Sequence, residues 1–485
     1  MKRIYIILVA AAFFSSCAKN KSDYNIDQKN ATDVPAPTLF TAAEKNIADI
    51  LTTPSVNSNV FRFYVQYWTA TDYLDEPRYN LTARSIPQSF WVTMYRDVIA
   101  NLRESKRLIA ADKLIDADVA VNQTAQAEIL EIMAWSSLVN TFGNVPYTEA
   151  MDIGNVQPKY DDAATVYADL LVRLDEALGK LKVSAAGYGN ADLMYNGDAA
   201  KWVKFGNSLK LRLGLILADK DPAKAKTAIE LAAANVLSSA ADNARFPYVG
   251  SPPNNNPIAT AANPALTSRK DYVGTQSFIN KLNALEDPRR AGFFTNKDGQ
   301  YIGGYYGFFN SYSNYSTMSA RVSALNFEAL LMDYPETEFA LAEAGARGFA
   351  VPGTPQEHYN KAVTASIEYW GGTAAEAATY LARPDVAYST ASADFKETIG
   401  TQKWIALYNR GYESWTEWRR LDFPKLDPPS SANAPEGQSA PSGLTIPVRL
   451  IYPINEQTLN GANRAAAAAA IGGDLAVTKL FWDVK

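Results

Sequence analysis

Three carboxylates fall within five residues of YVQYWTATDYLDEPRYN (64–80). They are Asp72, Asp75 and Glu76, set among Tyr67, Trp68, Tyr73 and Tyr79 and followed by Arg78. Two chemistries use such a set. A pair of carboxyl groups flanking a glycosidic bond can hydrolyse it, at about 5–5.5 Å separation for retention and about 6.5–9.5 Å for inversion. The same acids beside flat rings can instead hold a sugar unaltered. The rings cover its apolar face, and carboxylates and amides take its hydroxyls. A third reading is structural: Phe61, Val65 and Trp68 share a helical face and pack as core, with the acids solvated in a turn before Pro77. The other dense aromatic stretch is YIGGYYGFFNSYSNY (301–315). It interleaves Tyr301, Tyr305, Tyr306, Phe308, Phe309, Tyr312 and Tyr315 with Gly303, Gly304, Gly307, Asn310 and Asn314. It has no periodicity, and its glycines argue against a regular strand. Its composition follows the logic of an adaptable aromatic binding loop, or else of a satellite cluster that buries its own rings. The candidate ligand contacts are Tyr301, Tyr305, Tyr306, Phe308, Tyr312, Trp68, Tyr73 and Asp72. FPYVGSPPNNNP (246–257) is a weaker third segment.

Other chemistries are poorly supplied. The chain has one histidine, His358, and one cysteine, Cys17. A serine–histidine–acid triad or a histidine-rich zinc site would have to use His358 or do without. Disulfides and paired-cysteine redox chemistry are excluded. No catalytic residue, metal or cofactor is expected. The formal charge of −5 and the lack of a basic stripe argue against nucleic acid as a partner. Tyrosine outnumbers phenylalanine, 27 to 20, which favours rings with one edge in water.

Cys17 ends a secretory pattern. Lys2 and Arg3 precede IYIILVAAAFF, an uncharged run too short to span a bilayer core of about 30 Å. Ser15 and Ser16 then supply the small residues before a cut. The pattern resembles a bacterial lipobox, with Phe14 where leucine is usual. Residues 1–16 are expected to be a lipoprotein signal peptide. Cys17 then becomes the acylated, palmitate-type N-terminus, because several acyl chains hold a membrane where one holds weakly. Residues 17–38 read as a flexible polar tether with Pro35 and Pro37, and 39–485 as a single domain.

The elements that must position these residues are mainly helical. Val166, Leu170, Leu174 and Leu178 recur every four residues after Asp162, a fitting N-cap. Trp202, Phe205, Leu209, Leu213 and Ile216 do the same in the next segment. Asp221 with Pro222, and Thr354 with Pro355 and Glu357, mark two further helix starts. His358 falls in the first turn of the last of these and reads as a partly exposed surface side chain. Helices come in adjacent pairs: 91–109 with 123–142, 162–182 with 198–218, and 336–348 with 355–370. The fold class expected is mainly α, an irregular tetratricopeptide-like solenoid of helical pairs with few short strands. Long Gly-, Pro- and Asn-rich stretches at 243–276, 291–323 and 424–447 are of a length usually tied to function or disorder.

Six segments, in order, are similar to those of SusD/RagB-type outer-membrane lipoproteins. They are LVNTFGNVPYTEAM (138–151), KWVKFGNSLKLRLGLIL (201–217), FALAEAGARG (339–348), YESWTEWRRLDFP (412–424), RLIYPINEQTLN (449–460) and GGDLAVTKLFWD (472–483). The residues themselves also read structurally. Gly143 and Pro146 make a helix stop and a fixed turn. Trp415, Trp418 and Leu421 sit at core spacing. Arg419 and Arg420 could pair with Glu413 and Glu417 on an exposed face, where such pairs contribute little. The resemblance implies a SusD-like fold at the cell surface and capture of a glycan without catalysis. It also implies a partner, a SusC/RagA-type TonB-dependent transporter, over which the binding protein closes. Peptide capture is the alternative within the family, and a secreted helical glycosidase the alternative outside it.

Overall fold

The structure, a computed structural model, describes residues 34–82 and 84–484. Cys17 and the signal segment lie outside the described residues. The first helix begins at Ala36, so the last residues of the expected tether form its opening turn, with Pro37 in it.

In chain order the helices that build the body around the site are α1 (Ala36–Thr52), α2 (Ile86–Val92), α3 (Ala100–Ala111), α4 (Ala117–Phe142), α5 (Ala163–Lys180), α6 (Ala199–Leu217), α7 (Pro222–Ala232), α8 (Gln276–Ala284), α9 (Tyr334–Ala346), α10 (Pro355–Tyr369), α11 (Phe395–Ala406) and α12 (Gly411–Leu421). A π-helical segment, Thr93–Ile99, joins α2 to α3. Most starts are fixed by sequence. The side chains of Asp116, Asp162, Asp198, Asp221, Thr275, Asp333 and Thr354 each accept a backbone N–H from the first turn they precede. Each such cap stabilises by about 1 kcal/mol. Thr354 and Glu357 form the expected reciprocal capping box, and α4 stops at Gly143, whose φ of 85° suits glycine. Of the expected pairs, α3 packs on α4 and α9 on α10, while α5 touches α6 only lightly; the main partner of α5 is instead α4, and that of α6 is α7. No helix among the described residues is long and apolar enough to cross a membrane.

Strands are few and short. β1 (Trp68–Ala70), β2 (Ala244–Phe246), β3 (Tyr272–Gly274) and β4 (Ala329–Met332) make two antiparallel ribbons, β1–β3 and β2–β4. In the first, Trp68 faces Gly274 and Ala70 faces Tyr272. Beneath it lies an aromatic layer in which Tyr67, Phe278, Phe293, Trp404 and Tyr408 meet at centroid distances of 4.2–5.9 Å. The Tyr67 hydroxyl donates to the Ser414 hydroxyl at 2.7 Å and so ties β1 to α12.

Two sequence expectations are corrected here. Arg419, Arg420, Glu413 and Glu417 are buried, not on an exposed face. α12 packs against α11 and the short helix Phe61–Tyr64, so its polar positions meet other elements instead of water. Arg420 is held by Glu343 and Glu417, and Glu343 also bonds Arg347 at 2.7 Å, which reaches Asp219 at 2.7 Å. Arg419 forms no salt bridge among the described residues. It lies 3.5 Å over the Trp415 ring and 4.9 Å from that of Trp482, and donates to the carbonyls of Asn140 and Val448. Burial pushes its guanidinium down to about 9.

The second correction is His358, which is 4% exposed. Its Nδ1 lies 2.6 Å from Glu338 Oε2, and its Nε2 contacts the Pro352 carbonyl. Two acceptors face one ring, and only the imidazolium donates to both. Burial works against the charge, but the bonds to Glu338 and Pro352 outweigh it and raise the histidine above its ordinary value. A raised folded-state pKa gives stability that is complete below the unfolded value near 6.5 and is lost as pH rises through the folded value. His358→Gln is therefore expected to lower the melting temperature more at pH 6 than at pH 9. An equal loss at both pH values would show that the charge contributes nothing.

Candidate ligand-binding site

At the Ala70–Tyr272 end of the β1–β3 ribbon a cavity of about 410 Å³ opens, within the size range of small-ligand sites. Four separate stretches build it. The end of α1 continues into Thr53–Asn57, which forms one wall. Arg62 fixes this wall by donating to the Thr52 and Thr53 carbonyls at 2.7 and 3.0 Å. Thr260 and Ala261 form another part, Arg269, Asp271 and Tyr272 lead into β3, and Tyr73, Glu76 and Arg84 come from the loop after β1.

The Tyr272 hydroxyl donates to the Pro54 carbonyl at 3.0 Å and locks β3 to the α1 wall. Trp68 stacks on Tyr272 at 5.9 Å, lies under the Arg62 guanidinium, and donates from Nε1 to the Tyr408 hydroxyl at 3.0 Å. It is 2% exposed, so it supports the ribbon from beneath and offers no ring face to a ligand.

Tyr73 does the reverse. It is 61% exposed, with one ring face 5.9 Å from the Arg84 guanidinium. Arg84 also bonds Oε1 of the fully buried Glu76, whose Oε2 has no hydrogen-bond partner among the described residues. Across the cavity Arg269 bonds Asp271 at 2.5 Å. The lining thus offers an open aromatic ring, two guanidinium groups and the Asp271 carboxylate, with Glu76 buried behind Arg84. Such walls suit a neutral molecule carrying both donors and acceptors, because neither sign of charge dominates.

The other sequence candidates are divided. Asp72 is exposed beside Tyr73 but outside the lining, and Asp75 accepts from Asn80 Nδ2 at 3.0 Å, bracing the turn. The 301–315 loop lies directly against the 64–80 segment. Asn310 acts as a clip: its backbone N–H donates to Thr71 O at 3.0 Å and its Nδ2 to Phe308 O at 2.6 Å and Ala70 O at 3.2 Å, while its Oδ1 accepts from Tyr305 N at 2.8 Å. Much of the loop buries its own rings. Phe308 is buried under Arg78, and Tyr306 packs 6.3 Å from Tyr79. Tyr301 is half-buried 5.5 Å from Arg290, and Tyr312 is half-buried 5.9 Å from Lys270, next to the cavity residues Arg269 and Asp271. Tyr305 is half-buried and lines a separate cleft. The 246–257 segment braces the core: the Tyr248 hydroxyl donates to Asp49 at 2.7 Å and Asn256 Nδ2 to Phe327 O at 2.6 Å.

Arg84, Arg269, Asp271 and the Thr53–Asn57 wall escaped the sequence reading. The only local signal was SRKDY (268–272), which puts charges beside an aromatic residue inside the long 243–276 stretch.

Comparison with known proteins places this arrangement. A family model described as "Starch-binding associating with outer membrane" matches residues 28–453. Among solved structures, a chitin-binding SusD homologue from Flavobacterium johnsoniae is 25% identical with a TM-score of 0.78, the alignment covering 93% of this chain and 99% of that one. A SusD homologue from Bacteroides uniformis is 27% identical with a TM-score of 0.76, over 92% and 99% of the two chains. One from Bacteroides thetaiotaomicron is 25% identical with a TM-score of 0.75, over 93% and 100%. None of the curated proteins searched by sequence matches. With the family match spanning most of its length and the helical-pair body superposing on these structures, the chain belongs to the SusD-like family.

Proposed function

We propose that this chain is a lipid-anchored cell-surface protein that captures an oligo- or polysaccharide in the Tyr73 cavity. It then passes the glycan, unaltered, to a SusC/RagA-type TonB-dependent transporter in the outer membrane. The observation that carries this reading is the exposed Tyr73 ring at a cavity whose lining pairs each arginine with a carboxylate. A sugar presents an apolar face for the ring and hydroxyls that both donate and accept. The family description and the chitin-binding relative support the same ligand class. The lipobox-like segment ending at Cys17 supports the anchor.

Hydrolysis is disfavoured by the same geometry. One catalytic carboxyl of a glycosidase must hold a proton to donate. Glu76 and Asp271 each bond a guanidinium instead, and Glu76 is fully buried, so the lining presents no pair of free carboxyl groups to a bound sugar.

The test is a binding panel of chitin- and starch-derived oligosaccharides and of peptides, with product analysis of the bound sugars. Binding of an oligosaccharide recovered at full length is expected. Binding of peptides alone, or recovery of shortened sugars, would overturn the reading.

A further inference from the structure

The opposite end of the β1–β3 ribbon carries a second cleft, of about 210 Å³. The Tyr73 cavity meets the ribbon at Ala70 and Tyr272. The second cleft meets it beyond the Trp68–Gly274 pair, at Gln66 and Gln276. At about 3.3 Å per strand residue the two lie on the order of 10 Å apart along the ribbon.

The cleft has its own chemistry. Gln276 and Asn280, one turn apart on α8, are exposed, and their side-chain amides make no hydrogen bond among the described residues. The facing wall holds the exposed Lys425 and Asp427. Between the walls lies the half-buried ring of Tyr305, whose hydroxyl is likewise unbonded among the described residues.

The base of the cleft is rigid. Gln66 Nε2 donates to the Asp427 carbonyl at 2.7 Å, and the Gln66 carbonyl accepts from the Thr275 hydroxyl. Tyr305 is fixed by its N–H to Asn310. A preformed slot loses little order on binding, which favours a ligand held by a few weak polar contacts. One aromatic face, two free amides, one ammonium and one carboxylate match a neutral molecule rich in hydroxyl or acetamido groups. They do not match an anion or a greasy molecule.

We propose that this cleft is a second binding site for a neutral oligosaccharide, so that one protein molecule offers two grips on the same class of polymer. The inference rests on the glycan reading of the Tyr73 cavity. Its use is avidity: two weak sites on one rigid body hold a long chain more tightly than either alone, while each contact stays easy to break.

The test is calorimetric titration of the purified protein with chitohexaose and with maltohexaose. Two binding equivalents per chain are expected for one of them. Tyr73→Ala should leave one equivalent, and Asn280→Trp, which fills the second cleft from an exposed and unbonded position, should also leave one. The double variant should leave none. Gln276→Ala with Asn280→Ala, which removes the amides without adding bulk, should weaken the second equivalent selectively. A single equivalent that Tyr73→Ala abolishes and Asn280→Trp leaves untouched would overturn the second site while the first reading stands. Failure of the unaltered protein to bind either probe would overturn both.

Discussion

Tyr73→Ala is expected to weaken oligosaccharide binding at the Tyr73 cavity by roughly 30-fold or more, the scale of an interaction hot spot of about 2 kcal/mol. Tyr73 presents the open ring of the larger cavity, and the rings around it are turned inward. Trp68 is under the ribbon, while Tyr306 and Phe308 are buried in the neighbouring loop. Removing the ring should cost little stability, because most of it is exposed and one of its faces lies 5.9 Å from Arg84. Tyr73→Phe keeps the platform and should retain most of the affinity. Glycan titrations of the three proteins, with thermal melts alongside, separate the outcomes. Equal affinity and an equal number of binding equivalents in Tyr73→Ala and the unaltered chain would place the ligand elsewhere.

Glu343→Ala is expected to destabilise the fold by about 3–5 kcal/mol, the cost of removing one partner from a buried ion cluster. Glu343 is fully buried between Arg420 and Arg347. Burial opposes its charge, but the two guanidinium groups hold its carboxyl below the usual range. Without it, Arg420 keeps Glu417 and Arg347 keeps Asp219, so the chain should still fold, with a lower urea midpoint. Glu343 does not line the Tyr73 cavity, so glycan affinity measured well below that midpoint should be unchanged. A loss below about 1 kcal/mol would mean that the cluster relaxes around the vacancy or admits water.

The helical body was legible because its signals are local. Asp162, Asp221 and the Thr354–Glu357 pair announce helix starts within four residues of sequence, and the apolar spacing in α5 and α6 names the buried face. What covers a face is not local. Periodicity alone could not show that Arg419 lies between two tryptophans or that His358 lies between a carboxylate and a carbonyl. The binding cavity was half legible. The 64–80 stretch contained Tyr73 and Glu76, but their partners Arg84, Arg269 and Asp271, and the Thr53–Asn57 wall, converge from segments with no shared pattern.

The 301–315 loop shows how composition misleads. Its glycines read as freedom to move, yet two of them serve close approach. A Cβ on Gly303 would sit 2.4 Å from the Gln276 backbone, and one on Gly304 2.7 Å from Asn310 Oδ1. Asn310, one of the loop's two amides, holds the loop to the ribbon.

The most direct measurement is a crystal structure of the protein soaked with the oligosaccharide that binds best in the panel. A pyranose ring lying on Tyr73, with hydroxyls or an acetamido group within hydrogen-bond distance of Arg84, Arg269 or Asp271, is the result this account predicts. A well-ordered sugar bound away from both ends of the β1–β3 ribbon, with the Tyr73 cavity filled only by water, would contradict it.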